Sequence, residues 1–236
     1  MTTPATTQPA TTTDQDRALK AKHAAMWASG NYPAVASEVV GALGGTLVET
    51  LDVQSGQRVL DVAAGTGTSA IPAARRGAQV TATDLTPELL EVGRAAAAAD
   101  GLDLTWQTAD AEALPFGDAS FDVVLQIDTL QHLRNAEVML RETARVGRLG
   151  IVAFPNFAHW PNRLSVARGR MPVTRRLPYE WYDTPNIRVG TFKDFEALAH
   201  KNRLRVLDAF GVQQGREVRW LPNARAGTAV FRLERG

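Results

Sequence analysis

Residues 58–68 read RVLDVAAGTGT, in which one acidic residue and two glycines lie among mostly apolar residues. The pattern predicts a short apolar strand that includes Asp61, a turn that contains Gly65 and Gly67, and then the start of a helix. Glycine lets the backbone approach a ligand closely, and a helix N-terminus offers unpaired N–H groups with a positive dipole end. Open α/β sheets bind nucleotides in crevices of this kind. The stretch therefore predicts a site for a compound built on adenosine.

Two further carboxylates follow predicted strands. Asp84 ends a strand at residues 79–84, about 20 residues after the glycines, where a carboxylate commonly binds ribose hydroxyls. Asp110 lies at the end of a third strand, residues 104–111, where it could accept a hydrogen bond from the adenine amine. Each carboxylate could instead cap the turn or helix after its strand. Their order and spacing together favour ligand binding.

In this order the motifs resemble the class I S-adenosylmethionine-dependent methyltransferases, from about residue 26 to residue 145. The matching segments are Asp61-x-Ala63-x-Gly65-x-Gly67, Asp84, Asp110-Ala111-Glu112-x-Leu114-Pro115-Phe116 and the strand FDVVL at residues 121–125. The resemblance implies that Asp61 and Gly65 lie near the methionine part of S-adenosylmethionine. It implies that Asp84 lies at the ribose and Asp110 at the adenine. The implied cofactor-binding residues are Asp61, Ala63, Gly65, Gly67, Asp84, Leu85, Asp110, Ala111 and Gln126.

A nicotinamide oxidoreductase is a weaker alternative. Gly65-x-Gly67-x-x-Ala70 also fits the dinucleotide-binding pattern, with alanine in the third position. However, NAD dehydrogenases lack the segment at residues 110–116, and the chain has no Tyr-x-x-x-Lys pair for proton transfer.

The second half, from about residue 129 to residue 236, resembles the methionine-biosynthesis protein MetW. The similarity is carried by FPNFAHW at residues 154–160, GRMPVT at 169–174 and LPYEWYDTPNI at 177–187. The MetW family is methyltransferase-like in fold, and the resemblance implies a link to homoserine O-acyltransferase. Its glycine loop usually reads Asp-x-Gly-Cys-Gly-x-Gly, which differs from residues 61–67. We therefore hypothesise a mosaic, natural or engineered, joined between about residues 123 and 129.

Predicted helices and strands alternate along the chain, which indicates an α/β fold with a mainly parallel sheet. The resemblance implies a Rossmann-like doubly wound sheet of the class I methyltransferase type, with an antiparallel strand near the C-terminus. Residues 1–15 are rich in Thr, Pro and Ala and predict a disordered tail. Residues 16–236 are expected to form one domain, with a cofactor half to about residue 125 and an acceptor half from about residue 126.

The predicted helices and strands beyond the glycine motif have these bounds. Helices are predicted at residues 16–28, 34–50, 68–76, 88–100, 135–146 and 192–202, and later strands at 150–154, 203–210 and 228–233.

Composition limits the possible partners. The 26 Lys and Arg residues nearly balance the 25 Asp and Glu residues, so the formal charge of +1 gives no overall attraction to nucleic acid or anionic membranes. There is no cysteine, which excludes disulfides and cysteine-based zinc sites, and no metal site is expected. Neither a signal peptide nor a membrane-spanning run is apparent. We expect a cytoplasmic protein.

Candidates for the acceptor side are scattered. His132 follows the fourth strand, while His159 and Trp160 follow the fifth, and each could contact an acceptor or only pack. Arg163, Arg168, Arg170, Arg175 and Arg176 could bind a carboxylate or remain solvated. Trp27 and Tyr32 could cover the cofactor or anchor the first helix.

The sequence thus predicts a methyltransferase that acts on an unidentified small molecule and to which no catalytic residue can be assigned. The alternative is a MetW-like accessory protein that assists homoserine O-acyltransferase without methyl transfer of its own.

Overall fold

A computed structural model describes residues 14–29, 41–174 and 176–236. The strands of its sheet are β1 (Arg58–Val62), β2 (Gln79–Asp84), β3 (Thr105–Thr108), β4 (Phe121–Ile127), β5 (Gly147–Pro155), β6 (Leu204–Gln213), β7 (Arg216–Val218) and β8 (Thr228–Arg235). The α-helices are α1 (Asp14–Ser29), α2 (Gly41–Thr50), α3 (Ala70–Arg75), α4 (Pro87–Ala99), α5 (Ala136–Val146), α6 (Trp160–Ala167), α7 (Phe192–Lys201) and α8 (Pro222–Arg225). A 3₁₀ turn, Leu130–His132, follows β4.

The eight strands form one sheet in the order β3-β2-β1-β4-β5-β8-β6-β7. The five strands from β3 to β5 are parallel, and β8 runs antiparallel between β5 and β6. The α/β fold, the mainly parallel sheet and the antiparallel strand near the C-terminus are confirmed. The chain order reverses between β1 and β4, which creates the crevice where such sheets bind ligands.

The central strand β4 has apolar side chains on both faces, and helices pack on both faces of the sheet. Leu125 and Ile127 pack with α2, α3 and α4, whereas Val124 packs with α5 and α7. The second face contains a cluster of phenylalanine rings, in which the rings of Phe195 and Phe231 are 4.4 Å apart. Burial of each such side chain stabilises the fold by about 1.5–3 kcal/mol.

Several predicted bounds need correction. α1 begins at Asp14, so the last two residues of the predicted tail are helical; residues 1–13 lie outside the described residues, as do residues 34–40 of the predicted second helix. β5 begins at Gly147 and not at Gly150, directly after α5. Glycine is required at both positions for close packing, since a Cβ at Gly150 would lie 2.8 Å from the Thr143 methyl group and one at Gly147 would collide with Val124.

The edge strand β7 was not predicted. It forms a hairpin with β6 through the two residues Gln214 and Gly215, whose φ values are 52° and 74°. Two left-handed residues in succession match the tight turn that suits the twist of a β-hairpin. Helices α6 and α8 and the 3₁₀ turn were also missed, because each is too short for a clear periodic pattern. Among the helices of the described ranges, none has the length and apolar character needed to cross a bilayer.

Candidate functional site

The glycine loop between β1 and α3 bends through left-handed backbone. Ala63, Gly65 and Gly67 have φ values of 56°, 54° and 83°. These residues let the chain turn sharply, and within the loop the Ala64 and Gly67 N–H groups donate to the Thr83 and Ala64 carbonyl oxygens, both at 2.8 Å. A left-handed alanine costs about 1–2 kcal/mol, and strain of this kind persists where the surrounding structure imposes it. The loop is therefore held in its shape by contacts outside itself.

Asp84 supplies one of those contacts. Its Oδ2 accepts a hydrogen bond from the Gly65 N–H at 2.9 Å, and its Oδ1 accepts one from the Thr86 N–H at 2.8 Å. Burial raises the pKa of Asp84, while the N–H groups of Thr86 and Gly65 act in the opposite direction. Asp84 thus caps a turn, and it also lies beside the loop. The Thr86 hydroxyl and the Leu85 N–H also act to lower the pKa of this carboxyl.

Asp61 is more unusual. It is 2 % exposed at β1, and its Oδ2 has no hydrogen-bond partner in the described part of the chain. Burial raises the pKa of Asp61 to about 8, the N–H of Ala70 opposes the rise, and the charge of Asp84 adds to it. A buried carboxylate in this state is stabilised by a cation that enters beside it.

A tryptophan that was not predicted as part of the site packs against the glycine loop. Trp106 of β3 lies between the loop and α4, because a Cβ at Gly67 would be 2.7 Å from its Cη2 atom and one at Gly93 would be 2.5 Å from the same atom. The absence of a side chain at both glycines therefore leaves room for the indole ring. The available signal was Gly93 itself, a residue that destabilises the interior of a helix.

Helix α1 reaches across the carboxyl ends of the parallel strands. The Lys20 Nζ atom lies 2.7 Å from Asp110 Oδ2 and 2.8 Å from Glu112 Oε2, after β3. Seven residues later the Trp27 ring lies edge-on to His132, with 5.0 Å between ring centroids, after β4. Trp27 therefore lies at the crevice, while Tyr32, the other predicted covering residue, is outside the described residues.

The structure brings most of the predicted residues to this edge of the sheet, with one exception. Asp61, the loop, Asp84 and the half-buried Leu85 lie together, and Asp110 follows two strands away. Ala111 is buried in the apolar cluster on the α5 face. Gln126 is fully buried and donates a hydrogen bond to the Thr143 hydroxyl on α5. Its side chain is therefore engaged with α5 and not with the loop, because strand alternation turns it to the face opposite Leu125.

The predicted acceptor-side residues are dispersed. His132 Nδ1 lies 3.3 Å from the Pro185 carbonyl oxygen, and burial lowers the pKa of His159. Trp160 is exposed. The arginines do not act as one cluster, since Arg163 donates to the Ala158 carbonyl and Arg176 pairs with Asp128. Arg168 and Arg170 are exposed, and Arg175 lies outside the described residues.

The sheet order and the crevice define the fold of the class I methyltransferases. The family model of the methionine biosynthesis protein MetW matches residues 46–233. The chain belongs to the MetW family.

Relatives and a solved structure are similar to this chain. An uncharacterized protein of Mycobacterium tuberculosis is 41% identical over 190 residues, which is 78% of this chain and 69% of that protein. A demethylmenaquinone methyltransferase of Tropheryma whipplei is 39% identical over 108 residues, 44% of each chain. Magnesium protoporphyrin IX methyltransferase from Synechocystis, solved with bound SAH, superposes with a TM-score of 0.57 at 19% identity, covering 95% of this chain and 88% of that one.

These matches bear on the mosaic hypothesis. The family model runs from residue 46 to residue 233, across the predicted junction at residues 123–129. The mycobacterial relative also covers more of the chain than either predicted half contains. Neither match gives the hypothesis of two separate origins any support.

Proposed function

We propose that this protein is an S-adenosylmethionine-dependent methyltransferase that acts on a small molecule. The observation that carries the proposal is Asp61, a buried carboxylate with an unpartnered oxygen beside a left-handed glycine loop. S-adenosylmethionine carries an ammonium group on its methionine part, and such a cation would stabilise the ionised form of Asp61.

The other two carboxylates suit the nucleoside part. Asp84, beside the loop, would accept hydrogen bonds from the ribose hydroxyls, and Asp110, after β3, would accept one from the adenine amine. Lys20 now occupies Asp110 Oδ2, so recognition of adenine there requires a shift of the ammonium group. When bound, the cofactor supplies an electrophilic methyl group; this chain orients it and excludes water.

Proton release tests the role of Asp61. A bound ammonium group lowers the pKa of Asp61 from its value of about 8 in the free protein. Binding of S-adenosylhomocysteine at pH 7 should therefore release close to one proton, and the affinity should rise as the pH increases from about 6 to 7.5. Calorimetry in two buffers with different ionisation enthalpies measures the proton count. Absence of binding would refute the proposed function, and binding without proton release would refute the role of Asp61.

The position of the ribose is tested at Asp84. Asp84→Ala should weaken the binding of S-adenosylhomocysteine by about 1.5–3 kcal/mol, the scale for hydrogen bonds to a charged group. Asp122→Asn is the control, because Asp122 on β4 pairs with Arg58 instead of facing the loop. Equal affinity of the Asp84 variant and the control would show that the ribose lies elsewhere.

A second candidate function is that of an accessory protein that assists homoserine O-acyltransferase. The match to the MetW family favours it, as does a set of exposed aromatic side chains in the second half of the chain. These are Trp160, Trp181, Tyr182 and Trp220. Co-expression with a homoserine O-acyltransferase tests it: co-purification, together with faster acylation, would support the accessory role, while unchanged acylation and separate elution would reject it.

A further inference from the structure

The end of β4 carries a carboxylate that none of the sequence motifs includes. Asp128 directly follows β4, and its N–H donates to the Ala153 carbonyl oxygen at 2.9 Å. The next residue, Thr129, donates its hydroxyl to the Val62 carbonyl oxygen at 3.2 Å, at the entrance of the glycine loop. Asp128 therefore lies at the switch point of the sheet, on the side of β1 that is opposite Asp84.

Only one of the two carboxylate oxygens of Asp128 has a partner among the described residues. Its Oδ1 lies 2.6 Å from Arg176 Nη2, and the side chain is 10% exposed. Its Oδ2 is buried and has no hydrogen-bond partner among the described residues. The backbone is left-handed, with a φ of 56°. An aspartate tolerates this conformation better than most residues, but an unbonded carboxylate oxygen still costs free energy, about 1–3 kcal/mol or more.

A neighbouring side chain also has a buried oxygen without a hydrogen-bond donor among the described residues. Gln131 donates its amide to the Asp128 carbonyl oxygen at 2.9 Å, and its buried Oε1 atom has no partner in the parts of the chain that the structure describes. Two buried hydrogen-bond acceptors thus lie within four residues at the end of β4. Buried acceptors without protein donors are satisfied by ordered water or by a ligand that brings N–H or O–H groups.

Building on the proposed function, we propose that Asp128 is the substrate-facing carboxylate of the acceptor pocket. The substrate class then carries an N–H or O–H at the atom that is methylated. Arg176 is a positioning residue, since its fork holds Oδ1 and leaves Oδ2 for the substrate. Asp128 Oδ2 receives the proton that the acceptor atom loses, and that atom keeps the electron pair of its N–H or O–H bond for the new bond to carbon, while sulfur keeps the pair of the bond that breaks.

The position of Asp128 can be tested without knowing the acceptor. Sinefungin replaces the methyl-bearing sulfonium by a carbon that bears an ammonium group, whereas S-adenosylhomocysteine has neither methyl nor charge at that position. A carboxylate near the methyl position should make the protein bind sinefungin about tenfold more tightly than S-adenosylhomocysteine, because the hydrogen bond is charge-assisted. Calorimetry at pH 7 measures both affinities.

Asp128→Asn should remove this preference and leave the affinity for S-adenosylhomocysteine nearly unchanged. Asp128→Glu keeps the charge and should retain part of the preference, which covers the case in which the first variant does not fold. Asp208→Asn is the matched control, since Asp208 on β6 also pairs with an arginine, Arg219, at the other end of the sheet; it should behave like the unaltered protein.

The outcomes separate this proposal from the proposed function. If the unaltered protein binds neither compound, both proposals fall. If it binds both and the Asp128→Asn variant keeps the preference for sinefungin, Asp128 faces no part of the methyl site and the inference is overturned. Arg176→Gln should reduce the preference while Arg176→Lys restores part of it; equal ratios in both variants would remove Arg176 from the site.

Discussion

The two ends of the crevice satisfy their carboxylates in different ways. Beside β1 and β2, Asp84 is bonded to two backbone N–H groups, and the buried Oδ2 atom of the nearby Asp61 has no hydrogen-bond partner among the described residues. Beside β4, Asp128 is paired with an arginine that follows 48 residues later. The first arrangement is set by neighbouring strands and the turns that follow them. The second depends on a loop far along the chain, so it can change with that loop while the β1 side stays the same.

The largest effect on the β1 side of the crevice is expected from a substitution that fills the space between the glycine loop and Trp106. Gly67→Ala places a Cβ 2.7 Å from the Trp106 ring in a residue whose φ is +83°. We expect a loss of about 2–4 kcal/mol in the free energy of unfolding, measured by denaturant unfolding. We also expect no binding of S-adenosylhomocysteine that calorimetry can measure.

Gly101→Ala is the control for that substitution. Gly101 has a φ of +69° with open space around its Cβ position, so it measures only the backbone cost, about 1 kcal/mol. An equal loss for the two variants would show that Trp106 does not restrain the loop.

The next largest effect is expected at Asp61. Its folded pKa of about 8 lies above the ordinary 3.8, so between these pH values the folded protein holds a proton that the unfolded chain has released. The free energy of unfolding therefore falls as the pH rises through this window. Asp61→Asn removes the titrating group and should be more stable than the unaltered protein at pH 9, by about 1–3 kcal/mol.

The same variant should bind S-adenosylhomocysteine at least about tenfold more weakly, since it lacks the charge that pairs with ammonium. Thermal unfolding at pH 6 and pH 9 shows the first effect and calorimetry the second. A variant that loses stability at pH 9 and keeps its affinity would contradict both the burial and the role assigned to this carboxylate.

A smaller effect is expected from relief of strain in the loop. Ala63→Gly should stabilise the protein by about 1 kcal/mol, because glycine adopts the φ of 56° without steric cost. Ala119→Gly is the matched variant, as Ala119 is an exposed alanine with a φ of 52°. Both should raise the midpoint of urea unfolding, but only Ala63→Gly should change the affinity for S-adenosylhomocysteine. A change at neither position would show that the left-handed alanine is not strained.

The smallest effect concerns the cover over the crevice. Lys20→Met removes the ion pairs with Asp110 and Glu112, which as partly buried pairs are expected to contribute about 1 kcal/mol. Amide hydrogen exchange of residues 14–29 should become several-fold faster. Lys201→Met, which breaks an exposed pair with Glu137, should leave that exchange unchanged. Equal exchange in the two variants would show that Lys20 does not hold α1.

The sequence predicted the glycine loop and the strands beside it for a physical reason. A strand, a glycine turn and a helix are local, so residues 58–75 determine the loop, and parallel strands bring Asp84 to the same edge. Gln126 is different: a shift of one residue along a strand reverses the face to which a side chain points, and β4 has no apolar/polar alternation from which the face of Gln126 could be assigned. Only the fold, through Thr143, shows that its side chain turns to α5.

The sequence by itself determined the fold class and the order of the carboxylates along it, because both follow from contiguous strands, turns and helices. The tertiary structure alone decided that Trp106 fills the space behind the loop, that α1 spans the crevice and that Arg176 meets Asp128. Each of these contacts joins residues far apart in the chain, and no local pattern of polarity specifies which distant partners will meet.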